Sequence, residues 1–262
     1  SYETAIRAIT FSNPDDFPSG IERELTIVVD DGNTLSTAAT TRISMQLFND
    51  ASTPTLSITP LGQWTFNEGS GGTTTNRWAS PDQTGTLADD NGSGGTALPG
   101  FLTTNQRNAT SGSYVSFNDL GDRVNVAAAA TQPLMGTASL TFWIRTTQTG
   151  GNAGNGASWD LPGVFASEQS GGGNDIQWGT INSAGRIGFA VGNVAGVYST
   201  SAINDNQWNH VAITRNASTG FVEIWVNGVR EATGSPNDAA FNGLVNRLTS
   251  MGVNNQFSGN AA

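Results

Sequence analysis

From Leu61 onward, strand-length apolar runs recur between clusters of Gly, Asn and Ser, and no helical period lasts more than a couple of turns. Short strands joined by polar turns are the structure that buries such runs. The alternation predicts strands at 63–66, 114–117, 139–145, 176–178, 186–191, 208–215 and 221–226, with Asn227-Gly228 as a hairpin turn leading into 229–231. The only helix-like patch, Ala127 to Ala130, is too short to shape the architecture. So many antiparallel-type strands indicate an all-β, two-sheet fold. The 33 glycines and a charged content of only 12% fit a chain rich in turns.

Charge removes several function classes. The net charge is −10, every one of the 11 bases is arginine, and no basic run is present. A nucleic-acid partner needs a cationic footprint that releases counterions from phosphate, and an anionic membrane surface needs the same. No apolar stretch approaches the roughly 18 residues of a membrane-spanning helix, so no membrane insertion is expected. With no cysteine and one histidine, the chain offers no disulfide, zinc ribbon, thiol nucleophile or multi-histidine metal site. A metal bound here would be a hard, oxygen-ligated ion, and calcium suits the many Asp and Asn side chains.

The first 50 residues differ from the rest. They hold eight acids against three bases, a net of −5, and so carry half the excess charge in a fifth of the chain. Strands are predicted at 5–11, 22–29 and 40–45, with Asp30-Asp31-Gly32-Asn33 as a hairpin-type turn. Three strands are too few for a sandwich of about 100 residues, so this segment is expected to be the end of a longer domain. The run from Arg7 through "ERELTIVVDDGNTLSTAATTRISM" resembles the last strands of bacterial cadherin-like adhesin repeats, and "LFNDASTPTL" resembles their junction, with two extra residues before Pro54. The resemblance implies a partial cadherin-like (immunoglobulin-like) β-sandwich over 1–50 and a linker over 51–60. It also implies an extracellular, cell-surface location and a calcium-stiffened joint with Asp30, Asp31, Asn49 and Asp50 as metal ligands.

The larger part carries a second set of motifs. Trp64-Thr-Phe66-Asn-Glu68-Gly-Ser-Gly71 comes first, then Gly112-Ser-Tyr-Val-Ser-Phe117 and Ala138-Ser-Leu-Thr-Phe-Trp143-Ile-Arg145. Gly185-Arg-Ile-Gly-Phe189 follows, and Asn206-Gln-Trp208-Asn-His210-Val-Ala212 leads into Phe221-Val-Glu-Ile-Trp225-Val-Asn-Gly228. These resemble the laminin-G-like, concanavalin A-like lectin/glucanase family, which implies a jelly-roll β-sandwich over 61–262, glycan or cell-surface protein binding, and a structural calcium. Glu68 and Asp82 are the candidate ligands for such an ion. The Ile-Asp-Glu-Val strand that usually closes this family does not follow 248–257, so the last strand is expected to be absent. Either the sequence is a cut from a longer adhesin with neighbouring domains, or a neighbouring subunit donates the strand and builds a filament or sheath with no sugar site.

Catalysis is not expected. Glucanases of this superfamily place paired carboxylates on one strand face in a Glu-x-Asp-x-x-Glu spacing, and the chain has no such spacing. His210, read as a packed strand residue, has no serine and aspartate in a recognisable triad. Binding is left, and tryptophan is the residue to follow. Trp64, Trp143, Trp208 and Trp225 fall at core-like strand positions. Trp159, in the Gly-rich stretch 150–160, and Trp78 fall in loops. With Asp160, Asn174 and Asp175 they form the predicted ligand site.

Overall fold

The computed structural model describes residues 23–30, 32–43, 60–77, 84–89, 98–108, 112–118, 121–150, 161–167, 175–192, 194–236 and 246–252. The chain forms two compact units, Ser1–Ile58 and Thr59–Ala262. The strand expected at 5–11 lies outside the described residues.

In the first unit, β1 (Arg23–Ile27) pairs antiparallel with β2 (Ala39–Ile43), from Arg23 opposite Ile43 to Ile27 opposite Ala39. Beyond them Asp30 bridges Leu35, and the Asp30 carboxylate Oδ1 accepts a 2.8 Å hydrogen bond from Gly32 N. Gly32 has φ +90°, the left-handed conformation that the Asp-Gly pair foretells at a reversal.

In the second unit the strands are β3 (Thr73–Thr74), β4 (Gly85–Ala88), β5 (Gly100–Leu102), β6 (Tyr114–Ser116), β7 (Arg123–Asn125) and β8 (Ala138–Ile144). They continue as β9 (Phe165–Ser167), β10 (Ile176–Ile181), β11 (Arg186–Val191), β12 (Val197–Ala202), β13 (Asn209–Arg215), β14 (Val222–Val226), β15 (Val229–Gly234) and β16 (Ser250–Met251). Hydrogen bonding gives sheets ordered β12-β11-β10-β9, β15-β14-β13-β8 and β16-β7-β4-β3, with β5 paired to β6. All the pairings are antiparallel.

The core gathers residues from all three larger sheets: Phe165, Trp178 and Phe189 with Val211, Ile213 and Ile224, closed by Val124 and Leu248. Trp178 and Phe189 meet edge to face at 4.8 Å, and Trp178 Nε1 donates to the Leu134 carbonyl at 3.0 Å. In β13 and β14 every second residue is buried, so the sheet they share turns one face to the core and the other outward. β10 is buried throughout and β11 at every position but Arg186. There Gly188 has no alternative, since a Cβ would run into the Val197 carbonyl and the Tyr198 ring.

Two expectations change. The 63–66 run makes only an isolated bridge from Trp64 to Asn76, because Phe66 at φ +55° turns the chain out of extension. The patch at 127–130 is not negligible: helix α1 (Ala128–Thr131) runs into a 3-10 turn, Gln132–Met135, that buries Leu134 and Met135. Thr131 Oγ1 donates to Leu248 O at 2.6 Å and Asn246 Nδ2 to Ala128 O at 2.6 Å, tying this corner to the segment before β16.

A polar tie joins two sheets where β12 faces β15. Glu231 Oε2 accepts from Ser201 N at 2.8 Å and from Thr200 Oγ1 at 3.1 Å. Partial burial pushes the Glu231 carboxyl up, but the hydrogen bonds from Ser201 and Thr200 together outweigh it and hold the group below its ordinary value. A lowered folded-state pKa stabilises the fold above the unfolded value, near 4.3, and that share is lost as pH falls through the folded value. Because Glu231 is only partly buried, the share is under about 1 kcal/mol. Urea midpoints between roughly pH 5 and pH 3 are expected to fall less steeply in Glu231→Gln than in the parent chain.

Candidate functional site

The outward face of the β15-β14-β13-β8 sheet is built by register. Trp143 lies opposite His210, Thr141 opposite Ala212, and Ser139 opposite Thr214. Ala212 and Thr214 in turn lie opposite Trp225 and Glu223, and Trp225 opposite Arg230. From Ser139 to Trp143 the face runs about 13 Å. Leu140, Phe142 and Ile144 pack against the core, so Trp143 between them points outward and is 46% exposed. Ala212 stands between Thr141 and Trp225 in register, with the Trp143–His210 pair at one end of the face.

At that end the ring centroids of Trp143 and His210 are 5.1 Å apart, and the guanidinium of Arg107 sits 4.5 Å from the Trp143 ring centroid. Arg107 is placed by a pinned loop. The Asn105 carbonyl accepts Trp208 Nε1 at 2.9 Å and Arg145 Nη1 at 3.2 Å, and Arg145 Nε donates to Asn206 Oδ1 at 3.2 Å. Tyr114 packs edge to face on Trp208 at 5.2 Å.

The Trp208-Asn-His210 motif acts in three directions. Trp208 reaches the 105 loop, while Asn209 turns inward, donating to Asp205 Oδ1 and Gln207 O at 3.2 Å each and accepting Asn227 Nδ2 at 2.8 Å. His210 stands on the outward face, its backbone N bonded to Asn227 Oδ1 at 2.9 Å. The expectation that His210 is packed inside the strand is corrected: Asn209, Val211 and Ile213 take the buried positions. Trp143 is likewise moved from core to surface.

At the opposite end of the face a shallow depression of about 480 Å³ is lined by Ser139, Thr214, Asn216, Phe221 and Glu223 among others. Glu223 is engaged by Arg230 at 3.0 Å. The face therefore combines exposed aromatic rings, hydroxyls and amides with cations at the Trp143 end, a set able to stack on the C–H face of a sugar while hydrogen-bonding its hydroxyls.

Of the residues nominated from sequence, Trp78, Asp82, Trp159, Asp160, Asn174, Asp31, Asn49 and Asp50 lie outside the described residues. Asp175 is fully buried just before β10, its backbone carbonyl accepting Gly192 N at 3.0 Å. Glu68 Oε1 accepts Thr75 N at 2.9 Å and Thr74 Oγ1 at 3.1 Å, holding β3 to the loop before it. Asp30 is exposed at its turn. Among the described residues, no three His, Cys, Asp or Glu side chains gather as a metal site. The residues that sequence reasoning passed over are Arg107, Trp143, His210 and Trp225. For Trp143 the available signal is its place between Phe142 and Ile144, since a strand cannot turn all three to one side.

A laminin-G-type family model, described as the concanavalin A-like lectin/glucanases superfamily, matches residues 110–261, and the chain belongs to that superfamily. No curated protein matches it in sequence. Among solved structures it is similar to domain 4 of AbnA, a GH43 extracellular arabinanase from Geobacillus stearothermophilus, in complex with arabinotriose. That likeness has 15% identity and a TM-score of 0.48, covering 76% of this chain and 87% of that one. It is also similar to the CBM40 of the Ruminococcus gnavus IT-sialidase, with 12% identity and a TM-score of 0.36, covering 51% of this chain and 74% of that one. The same figures hold for that module bound to α2,3 sialyllactose.

Proposed function

We propose that this chain is a non-catalytic glycan-binding module of a large bacterial cell-surface adhesin, with the outward face of the β15-β14-β13-β8 sheet as its binding surface. The observation that carries this reading is the half-exposed Trp143 beside His210, with Trp225 on the same outward face of a hydrogen-bonded sheet. A core residue would be inside, and an indole kept outside on a rigid sheet is a recognition surface. Hydrolysis needs two carboxylates across the scissile bond, whereas among the described residues Glu223 is the one carboxylate that register puts on this face, and it is paired with Arg230. Extracellular placement and a cadherin-like preceding segment belong to the same proposal. Calcium held by Asp30, Asp31, Asn49 and Asp50 belongs to it too; of these, Asp30 lies at an exposed turn and offers the carboxylate oxygens such an ion takes.

Glycan-array screening followed by calorimetry of the whole chain tests the reading. Trp143→Ala is expected to weaken the best-bound glycan by about tenfold or more while leaving the urea midpoint nearly unchanged, because the ring is exposed. Repeating the thermal melt with calcium and with chelator reads the junction. No glycan bound, or binding indifferent to Trp143→Ala, overturns the proposal, and ordered polymers without glycan binding would replace it with a structural subunit.

A further inference from the structure

We infer that the ligand of this face is an acidic glycan, whose carboxylate or sulfate is taken by Arg107, the guanidinium that lies over the Trp143 ring. This rests on the glycan-binding reading above and adds the chemical class. Arg107 is exposed, and its contact with the Trp143 ring at 4.5 Å is accompanied by no hydrogen bond or ion pair among the described residues. A guanidinium laid on an aromatic ring keeps its forked donors for a planar anion, and its orientation is set before the anion arrives.

The surroundings favour an anion at this end. Arg145 lies at the same loop, donating to the Asn105 carbonyl. Among the described residues, Asp205 accepts Gln207 N at 2.9 Å and Asn209 Nδ2 at 3.2 Å, and Glu223 lies at the other end of the face, bound by Arg230. In a chain of net charge −10, a cationic end on an aromatic sheet face is the place where an acidic polymer is attracted rather than repelled. A sugar fits better than an acidic peptide. The row from Trp143 toward Ser139 carries hydroxyls at Thr141, Thr214 and Ser139, and no unpaired sheet edge is needed to hold the ligand.

The probes are oligogalacturonate for carboxylate, a sulfated galactan oligosaccharide for sulfate, and a neutral galactan oligosaccharide, each titrated into the whole chain. At least one acidic probe is expected to bind about tenfold tighter than the neutral one at low salt, and the advantage should shrink between about 0.05 M and about 0.5 M NaCl. Arg107→Gln should abolish that preference and leave the urea midpoint unmoved. Arg107→Lys should recover part of the preference, as a point charge without the fork does. Equal binding of neutral and acidic probes with no effect of Arg107→Gln overturns this inference while the glycan-binding face stands. Binding of none of the probes, nor of any other glycan on the array, removes both. Tighter binding of polyglutamate than of any acidic glycan overturns it in favour of a protein-docking face.

Discussion

Trp178→Ala is expected to destabilise the larger unit by about 3–5 kcal/mol, the range for removing a buried aromatic from a packed core. Trp178 is fully buried, its ring meets the edge of Phe189 at 4.8 Å, and its Nε1 satisfies the Leu134 carbonyl. The alanine variant therefore leaves a cavity between β10 and β11 and an acceptor in the 3-10 turn without its donor. Domain stabilities are roughly 5–15 kcal/mol, so the variant should lose from about a fifth to nearly all of the parent's urea midpoint. Trp178→Phe keeps much of the ring but not the donor, and should lose about 1–3 kcal/mol. A loss under about 1 kcal/mol for Trp178→Ala would mean that this indole is not the centre of the core. The contrast with Trp143→Ala is the sharper test: of two tryptophans on paired-strand sheets of one unit, Trp178 is expected to govern stability and Trp143 only the proposed binding.

That contrast is also where the sequence is hardest to read. Both residues sit in apolar stretches, and side-chain type alone assigns both to the core. Period-two alternation separates them, because Ile176 and Trp178 share a face across Gln177, whereas Trp143 is out of phase with Leu140, Phe142 and Ile144. The long strands β8, β11, β13, β14 and the Asn227-Gly228 turn are legible because apolar alternation and turn chemistry agree there, and Asn227 and Gly228 do take positive φ. β12 is not legible: Val197-Tyr-Ser-Thr-Ser-Ala202 is mostly small and polar, and it is an edge strand whose place is set by pairing with β11. Short strands such as β4, β7 and β9 carry too few residues for a period to show. The outward site is assembled from strands and a loop distant in sequence. Arg107 meets Trp143 only because Arg145 and Trp208 both bind the Asn105 carbonyl, a contact with no local pattern.

Arg215 gives the second large effect, and its sign depends on what replaces it. The side chain ends β13 on the core side, is 7% exposed, and donates from Nη1 to Met135 O at 3.0 Å and Gly136 O at 3.1 Å. Its guanidinium also lies 5.8 Å from the Phe189 ring centroid, and burial lowers its pKa from the ordinary arginine value. The end of the 3-10 turn presents two carbonyls to the core, and one guanidinium nitrogen satisfies both at once. Arg215→Ala removes the donor and the packing stem together, and is expected to cost about 2–4 kcal/mol, since hydrogen bonds from charged donors contribute about 1.5–3 kcal/mol each but the two share one nitrogen. Arg215→Lys should lose less, because the ammonium reaches the same carbonyls without the planar contact to Phe189. Arg215→Leu should resemble alanine rather than rescue it, because filling the volume does not supply the donor that the carbonyls lose. Urea unfolding ranks the three. If leucine proves as stable as arginine, packing rather than hydrogen bonding holds the helical corner against β13.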